Sequence, residues 1–249
     1  MSEENPCQKK IRVLSLGAGV NSTALLVLCS QGKVDFDFAI FAETGNEYPE
    51  TYDYLENVII PFCIRHKITI IRLPRGGVSK TLYQEYFDKH IIPTRKNRSC
   101  TDHFKIRPIK QYLLDLEQKT SSEVVCLIGF CKGEERRRNS RRYALPYELE
   151  YPLIDLGIDR EGCKQIIRSA GLPIPIKSGC FFCPFTKVRN WKWLHRTHPD
   201  LFEKAKELEQ NGRRYPELTL YGKLPLAKVI VKRELCDWQT KPCSLCEVE

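Results

Sequence analysis

The sequence predicts an α/β fold: an open, twisted parallel sheet with helices on both faces, followed by a smaller C-terminal lobe. Three observations carry this. Short apolar runs alternate with helical stretches between Ile11 and Phe130, a turn of small residues (Gly17-Ala18-Gly19) joins the first run to the first helix, and the periodicity changes beyond Tyr151. Strands alternating with helices pack as a parallel sheet covered on both sides, with right-handed crossovers.

In order, Ile11 to Leu16 reads as a buried strand, Thr23 to Ser30 as an apolar helix and Phe36 to Phe41 as a second buried strand, which is a βαβ unit. Pro49 to His66 is a helical stretch ending in basic residues, Ile68 to Leu73 a third strand, Ile106 to Glu117 a helix, and Val124 to Phe130 a further strand. Asp159 to Ala170 forms a short helix capped by Gly171, after which Pro173 and Pro175 force an extended segment. Val188 to Asn211 holds one or two amphipathic helices broken near Pro199. These readings divide the chain into a sheet domain, 1–172, and a cysteine-containing lobe, 173–249.

The 249 residues are 42% hydrophobic, enough for a substantial core. No apolar run reaches the roughly 18 residues that a membrane span needs, and the first ten residues are polar, so neither a span nor a secretory signal is expected and the cytoplasm is the expected compartment. In that setting the 12 cysteines read as reduced thiols. Cys29, Cys63, Cys126 and Cys163 sit in apolar or amphipathic stretches, as small buried hydrophobes without chemistry. The net charge of +9 favours polyanionic partners. Its densest cluster, Arg136, Arg137, Arg138, Arg141 and Arg142, follows an apparent strand end, where α/β enzymes place ligands; a second is Arg95, Lys96 and Arg98. A solvated face would explain either cluster as well.

In the segment Ser15 to Thr23, backbone N–H groups and a helix dipole converge on one point that suits an anion. Gly17, Ala18 and Gly19 keep the backbone accessible, and Ser15, Ser22 and Thr23 add hydroxyls. A Walker lysine and the third glycine of a dinucleotide fingerprint are both missing. Taken alone, the turn could be only a tight connection. It resembles the pyrophosphate loop of the PP-loop ATPases, Ser-Gly-Gly-x-Asp-Ser, with Gly17 in place of the first Ser and Asn21 in place of the Asp. This variant is closer to the phosphoadenylyl-sulfate (PAPS) reductase branch. Glu43-Thr44-Gly45, with Pro49-Glu50-Thr51, is similar to that branch's Asp-Thr-Gly-x-x-x-Pro-Glu-Thr segment and stands at the carboxyl end of a strand, where nucleotide recognition belongs. The plain alternative is a helix start at Pro49 and Glu50.

Cys100 through Pro108 resembles the Cys-x-x-x-x-Lys-x-x-Pro element of the same branch. Lys105 suits a phosphate as a point charge, and cations around Cys100 would favour its thiolate; the alternative is a basic helix start with a spectator thiol. Gly129 to Arg138 resembles the branch's Gly-x-Arg-x-x-Glu-Ser-x-x-Arg segment, with Cys131 at the expected Arg, so that its role falls to Lys132 or to the substitutes Arg138 and Arg142. Cys180-Phe181-Phe182-Cys183 is a Cys-x-x-Cys knuckle: a metal half-site, a redox pair or a packed turn. In cluster-bearing relatives a Cys beside the Lys-x-x-Pro element joins a distant Cys-x-x-Cys. The resemblance therefore implies Cys100, Cys180 and Cys183 as ligands of a 4Fe–4S cluster, with Cys131 as fourth. Cys236, Cys243 and Cys246 would bind zinc, carry sulfur as a persulfide, or do nothing.

The resemblance covers roughly residues 11 to 186. It implies ATP with Mg2+, held by Ser15, Gly17, Ala18, Gly19, Asn21, Ser22, Thr23, Glu43, Thr44, Gly45 and Gly129, with Lys105, Cys100 and Arg138 acting in the chemistry. The expected function is an adenylating ATP pyrophosphatase. It would receive sulfur from a cysteine desulfurase or another donor protein and serve its transfer to nucleic acid, DNA rather than tRNA, as in the phosphorothioation systems Dnd and Ssp. The tail lacks the Glu-Cys-Gly-x-His ending of many PAPS reductases. The alternatives are a PAPS or adenylyl-sulfate reductase and a nucleic-acid-binding module with a degenerate nucleotide pocket.

Overall fold

The structure, a computed structural model, describes residues 10–74, 80–96, 98–139, 145–212, 217–222 and 224–231. Arg141, Arg142, Cys236, Cys243 and Cys246 lie outside the described residues. Five parallel strands form one sheet in the order β3-β2-β1-β4-β5. They are β1 (Lys10–Leu16), β2 (Phe38–Ala42), β3 (Thr69–Leu73), β4 (Glu123–Ile128) and β5 (Glu148–Glu150). β1 is central, with Leu14 opposite Ala39 on one side and Leu127 on the other.

Alternation along these strands divides the core in two. Leu14, Leu16, Ala39, Phe41, Val125 and Leu127 point to one face and Val13, Ile40, Ala42, Val124 and Cys126 to the other. The first face is covered by α1 (Val20–Ser30), by a long helix running from α2 (Pro49–Tyr54) to α3 (Ile60–Arg65), and by α9 (Arg160–Ser169). α1 is buried from Val20 to Cys29, which explains why its apolar residues run all the way round. Across the second face, α6 (Arg107–Thr120) packs Ile109 and Leu113. The expected open parallel sheet with helices on both faces is therefore the observed fold.

Two π-helical turns break otherwise regular helices. Leu55–Ile59 links α2 to α3, and Asp102–Ile106 links α5 (Ser99–Thr101) to α6. Each stands just before a proline, Pro61 or Pro108, whose missing N–H and bulky ring cannot fit a regular ladder; the widened turn accommodates it. Reading Pro108 as part of a helix beginning at Ile106 thus started that helix at its middle: the helical path begins at Ser99 and carries Cys100 and Lys105 on it.

The sequence reading did not anticipate α4 (Leu82–Asp88), α7 (Glu135–Arg138), α8 (Pro152–Asp155), α12 (Leu226–Val231) or the edge strand β5. β5 is short and polar, tied to β1 by Lys10–Glu148 (2.8 Å) and by an Arg12–Glu150 pair, so no apolar run announces it. α10 (Val188–Thr197) and α11 (Pro199–Asn211) are the two helices expected to break near Pro199. Their core joins Trp191, Leu194, Phe202 and Leu208 to Tyr48, Leu82, Tyr86 and Phe104, so residues on both sides of position 172 share it. Cys29, Cys63, Cys126 and Cys163 are buried free thiols, and burial pushes them up to about 12, 11, 12 and 12 respectively. No helix among the described residues is long and apolar enough to cross a membrane.

Candidate functional site

β1 ends at Leu16, and Gly17, Ala18 and Gly19 turn the chain into α1, with Gly19 as its N-cap. Ser15 lies inside β1, in register with Ile40 and Ile128. Gly19 contributes no capping side chain, which leaves first-turn N–H groups for a ligand. The Ser22 hydroxyl braces the turn, donating to the Gly19 carbonyl at 3.2 Å and accepting from the Gly17 N–H at 3.2 Å. Thr23 is fully buried behind it. Gly129, just past β4, lies against the start of α1: a Cβ there would stand 3.1 Å from both the N and Cα of Ser22. The loop's geometry therefore favours glycine at 129, since any Cβ would press on the backbone of Ser22.

Asn21 stands where the resemblance expects a carboxylate, and the structure puts one in contact with it. The amide nitrogen of Asn21 donates to Glu134 Oε2 at 2.9 Å, and its oxygen accepts from Arg160 at 2.9 Å. Glu134 also receives the Cys131 N–H at 3.2 Å, the Cys131 thiol at 3.5 Å, and Arg137. Cys131 is thus occupied beside the phosphate loop. Arg138 is not brought to the loop: its guanidinium lies over Tyr151, 5.3 Å from the ring centre, and 4.0 Å from Asp155.

The turn after β2 is self-organised. Glu43 accepts from the Gly45 N–H at 2.7 Å, from the Tyr52 hydroxyl at 2.6 Å and from Arg72 at 3.3 Å. Burial alone would raise its pKa, but these three donors hold it below the ordinary value. Thr44 and Asn46 face the knuckle: Thr44 takes a long contact of 3.8 Å from the Cys180 thiol, and the Asn46 carbonyl accepts the Phe181 N–H. Glu47, which the sequence reading passed over, forms a β-bridge with Cys180. It is only 4% exposed; Oε1 accepts from Lys105 at 2.8 Å and from Thr44 at 3.2 Å, while Oε2 has no partner among the described residues.

Lys105 therefore meets a buried carboxylate. Burial would lower its pKa, but the charge of Glu47 and the neighbouring Cys180 and Cys183 outweigh this and raise it. Burial is the main force pushing the Cys180 thiol well above its ordinary value, with Glu47 adding to it, and burial likewise raises Cys183. Cys100 adjoins this group, acting electrostatically on Cys183 and Tyr86. Three of the four expected cluster ligands thus share one neighbourhood, while Cys131 sits elsewhere, in the core beneath α1. Among the described residues, no three His, Cys, Asp or Glu side chains stand close enough to hold a metal ion as placed.

The segment leading into the knuckle connects the two regions. A Cβ on Gly19 would fall 2.7 Å from the Ser178 hydroxyl, so Ser178, two residues before Cys180, lies against the phosphate loop. Desolvation, and then the like charges of Lys187, Arg160 and Arg189, lower the pKa of the Lys177 ammonium. Lys177 thus feels three like charges, and one of those cations, Arg160, stands at the start of α1, where it donates to Asn21. None of these four was singled out in the sequence, since they are scattered over α9, the 177–189 segment and the start of α10.

A family model, the phosphoadenosine phosphosulfate reductase domain, matches residues 11–145. An uncharacterized protein of Methanocaldococcus jannaschii, MJ0066, is 27% identical over 250 residues, spanning 94% of this chain and 47% of that protein. A second from the same organism, MJ0973, is 22% identical over 208 residues, spanning 76% of this chain and 45% of that one. The chain thus spans about half the length of the curated relatives it matches. Among solved structures, the U34-tRNA thiolase NcsA from Methanococcus maripaludis, with its 4Fe–4S cluster, superposes with a TM-score of 0.43 at 14% identity, over 96% of this chain and 80% of that one.

Proposed function

The chain belongs to the phosphoadenosine phosphosulfate reductase domain family, and from that premise we propose that it is an ATP pyrophosphatase that adenylates an acceptor for sulfur transfer. The acceptor we propose is nucleic acid, DNA in preference to tRNA, as in phosphorothioation. The observation that carries this reading is the contact of Ser178 with the phosphate loop at Gly19, two residues before Cys180, which makes the anion site and the Cys180 neighbourhood contiguous.

In this reading the phosphates of ATP lie against Gly17, Ala18 and Gly19 and the first turn of α1, and the adenosine lies toward the Glu43-Thr44-Gly45 turn. Arg160, Lys177, Lys187 and Arg189 neutralise them. An acceptor oxygen attacks the α-phosphorus, the bond to the β-phosphate breaks, and pyrophosphate leaves with the electron pair. The outer sulfur of a persulfide on a cysteine desulfurase or other donor protein then attacks the activated atom of the acceptor, AMP departs with the former acceptor oxygen, and a thiol reductant cleaves the remaining S–S bond to free the thiolated acceptor. Positioning and charge neutralisation account for most of such catalysis. Magnesium bound with ATP would shield phosphate charge, and Glu134, in contact with Asn21, is the carboxylate placed to hold it. Lys105 fixes Glu47 beside the thiols.

Cys100, Cys180 and Cys183 offer three soft ligands of the kind a 4Fe–4S cluster takes, and Cys131 does not complete the set; iron content and absorbance after anaerobic purification test this part. The deciding experiment uses radiolabelled ATP with magnesium, with and without DNA or tRNA. AMP and pyrophosphate are the expected products. Their absence in every condition, together with sulfite release from PAPS and a thiol reductant, transfers the assignment to a reductase.

A further inference from the structure

The Cys180–Cys183 knuckle ends on a surface that adjoins the thiols, Cys183 taking a backbone hydrogen bond from Phe185. Phe181 and Phe182 are buried in the second core, whereas Phe185 is 41% exposed. Isolated exposed apolar side chains are ordinary; the surroundings of this one are not. The Arg98 guanidinium lies over its ring, 5.2 Å from the centre. Arg95 donates from Nε to the Pro184 carbonyl at 2.9 Å and sits 5.9 Å from the ring centre of Tyr221. Lys177 reaches the Phe185 carbonyl at 3.4 Å. Arg98 also keeps a buried Nε with no partner among the described residues. Two aromatic rings are thus interleaved with three cations, and Arg95 and Lys177 tether the backbone that presents one of them.

We infer that Phe185, with Tyr221 across Arg95, is a stacking platform for a base of single-stranded nucleic acid, whose phosphates meet Arg95 and Arg98. Proteins that bind unpaired strands combine cations that follow the backbone with aromatic faces on which bases stack. A duplex engages its interior base faces with one another and leaves only its two terminal faces for Phe185. Placement supports the choice: from Ser178 at the phosphate loop to Phe185 the chain spans at most about 25 Å even fully extended, so a strand held at Phe185 lies within reach of both the anion site and the thiols. The inference rests on the reading of nucleic acid as acceptor.

Fluorescence anisotropy with labelled oligothymidylate, oligouridylate and a blunt duplex of equal length, at one fixed salt concentration, tests it. Both single strands are expected to bind about tenfold or more tightly than the duplex. Phe185→Ala is expected to weaken single-strand binding by roughly tenfold, while Phe185→Trp retains it. Arg98→Gln should reduce the salt dependence of binding by about one unit of slope. A duplex bound as tightly as the strands, or a Phe185→Ala protein within about twofold of the parent, overturns the inference, since stacking on one base is worth more than that. AMP release by the parent protein separates this from the underlying reading. Release stimulated by nucleic acid, with single-strand affinity indifferent to Phe185, sinks the platform alone. Phe185-dependent strand binding with no AMP in any condition sinks the adenylation reading alone.

Discussion

The phosphate loop is built from one continuous stretch, Ser15 to Thr23, whose groups for a ligand are mostly backbone; the thiol region draws Glu47, Cys100, Lys105, Cys180 and Cys183 from three separate stretches and depends on side-chain charge. The two therefore tolerate change differently. A loop made of N–H groups keeps its form when Gly17 replaces Ser and Asn21 replaces Asp, because neither exchange removes a backbone donor. A buried carboxylate held by one lysine has no such latitude.

The sharpest way to break the comparison is Lys105→Met, which strands the Glu47 carboxylate in the core. Removing one partner of a buried pair costs several kcal/mol, and because Lys105 keeps some solvent contact, a loss of about 3 kcal/mol is expected in urea unfolding. Combining it with Glu47→Gln removes the stranded charge and should recover about half of that loss. A loss under about 0.5 kcal/mol for the single variant would show that the pair contributes no more than a surface ion pair.

On the loop side the vulnerable atom is a missing one. Gly129→Ala sets a methyl 3.1 Å from backbone atoms of Ser22 that no rotamer change can move, so a stability loss of about 2 kcal/mol and weaker nucleotide binding are expected together. Gly19→Ala is the control for stability alone, since Gly19 belongs to the anion site: its methyl meets the Ser178 side chain, whose hydroxyl end can swing aside. If both substitutions prove equally harmful, the contact at Ser22 is not what positions α1.

The same contrast explains what the sequence disclosed. The strands β1 to β4, the loop and the break near Pro199 were legible because each is written in neighbouring residues, as apolar runs, small turn residues or a proline. β5 was not, since its burial is partial and its pairing is made by Glu148 and Glu150 with β1 cations. Within the site, Gly129 and Asn21 were placed at the loop from motif spacing, but Glu47, Glu134, Arg160 and Lys177 were missed. Their roles come from segments that meet only after folding, and no local pattern marks a single acid or base for that. Lys105 reads as suited to a phosphate because its element resembles Cys-x-x-x-x-Lys-x-x-Pro; that Glu47 would be buried opposite it is a long-range fact.

A smaller effect probes the carboxylate exchange between Asn21 and Glu134. Asn21→Asp restores the residue the PP-loop pattern expects but sets a second negative charge where the amide now donates to Glu134 at 2.9 Å. Arg160 offsets part of the repulsion, leaving an expected loss of about 1 kcal/mol. Glu134→Gln in the same chain should return most of it, a coupling measurable as a double-mutant cycle. Additive losses would mean that the two positions do not share a proton donor and acceptor.

The smallest expected effect is a gain. Ala18 holds φ at +50°, in the left-handed region where a Cβ crowds the following carbonyl, and the PP-loop pattern places glycine at this position. Ala18→Gly removes that crowding at the cost of a freer unfolded chain, for a net stabilisation of roughly 0.5–1 kcal/mol, seen as a higher urea midpoint at unchanged slope. Ala18 is also buried against the core beneath α1, so the lost methyl opposes the gain. A destabilised Ala18→Gly protein would mean that packing, rather than backbone freedom, decides which residue this turn accepts. The loop would then depend on side-chain fit in the way the thiol region does, and the contrast between them would narrow to a difference of charge.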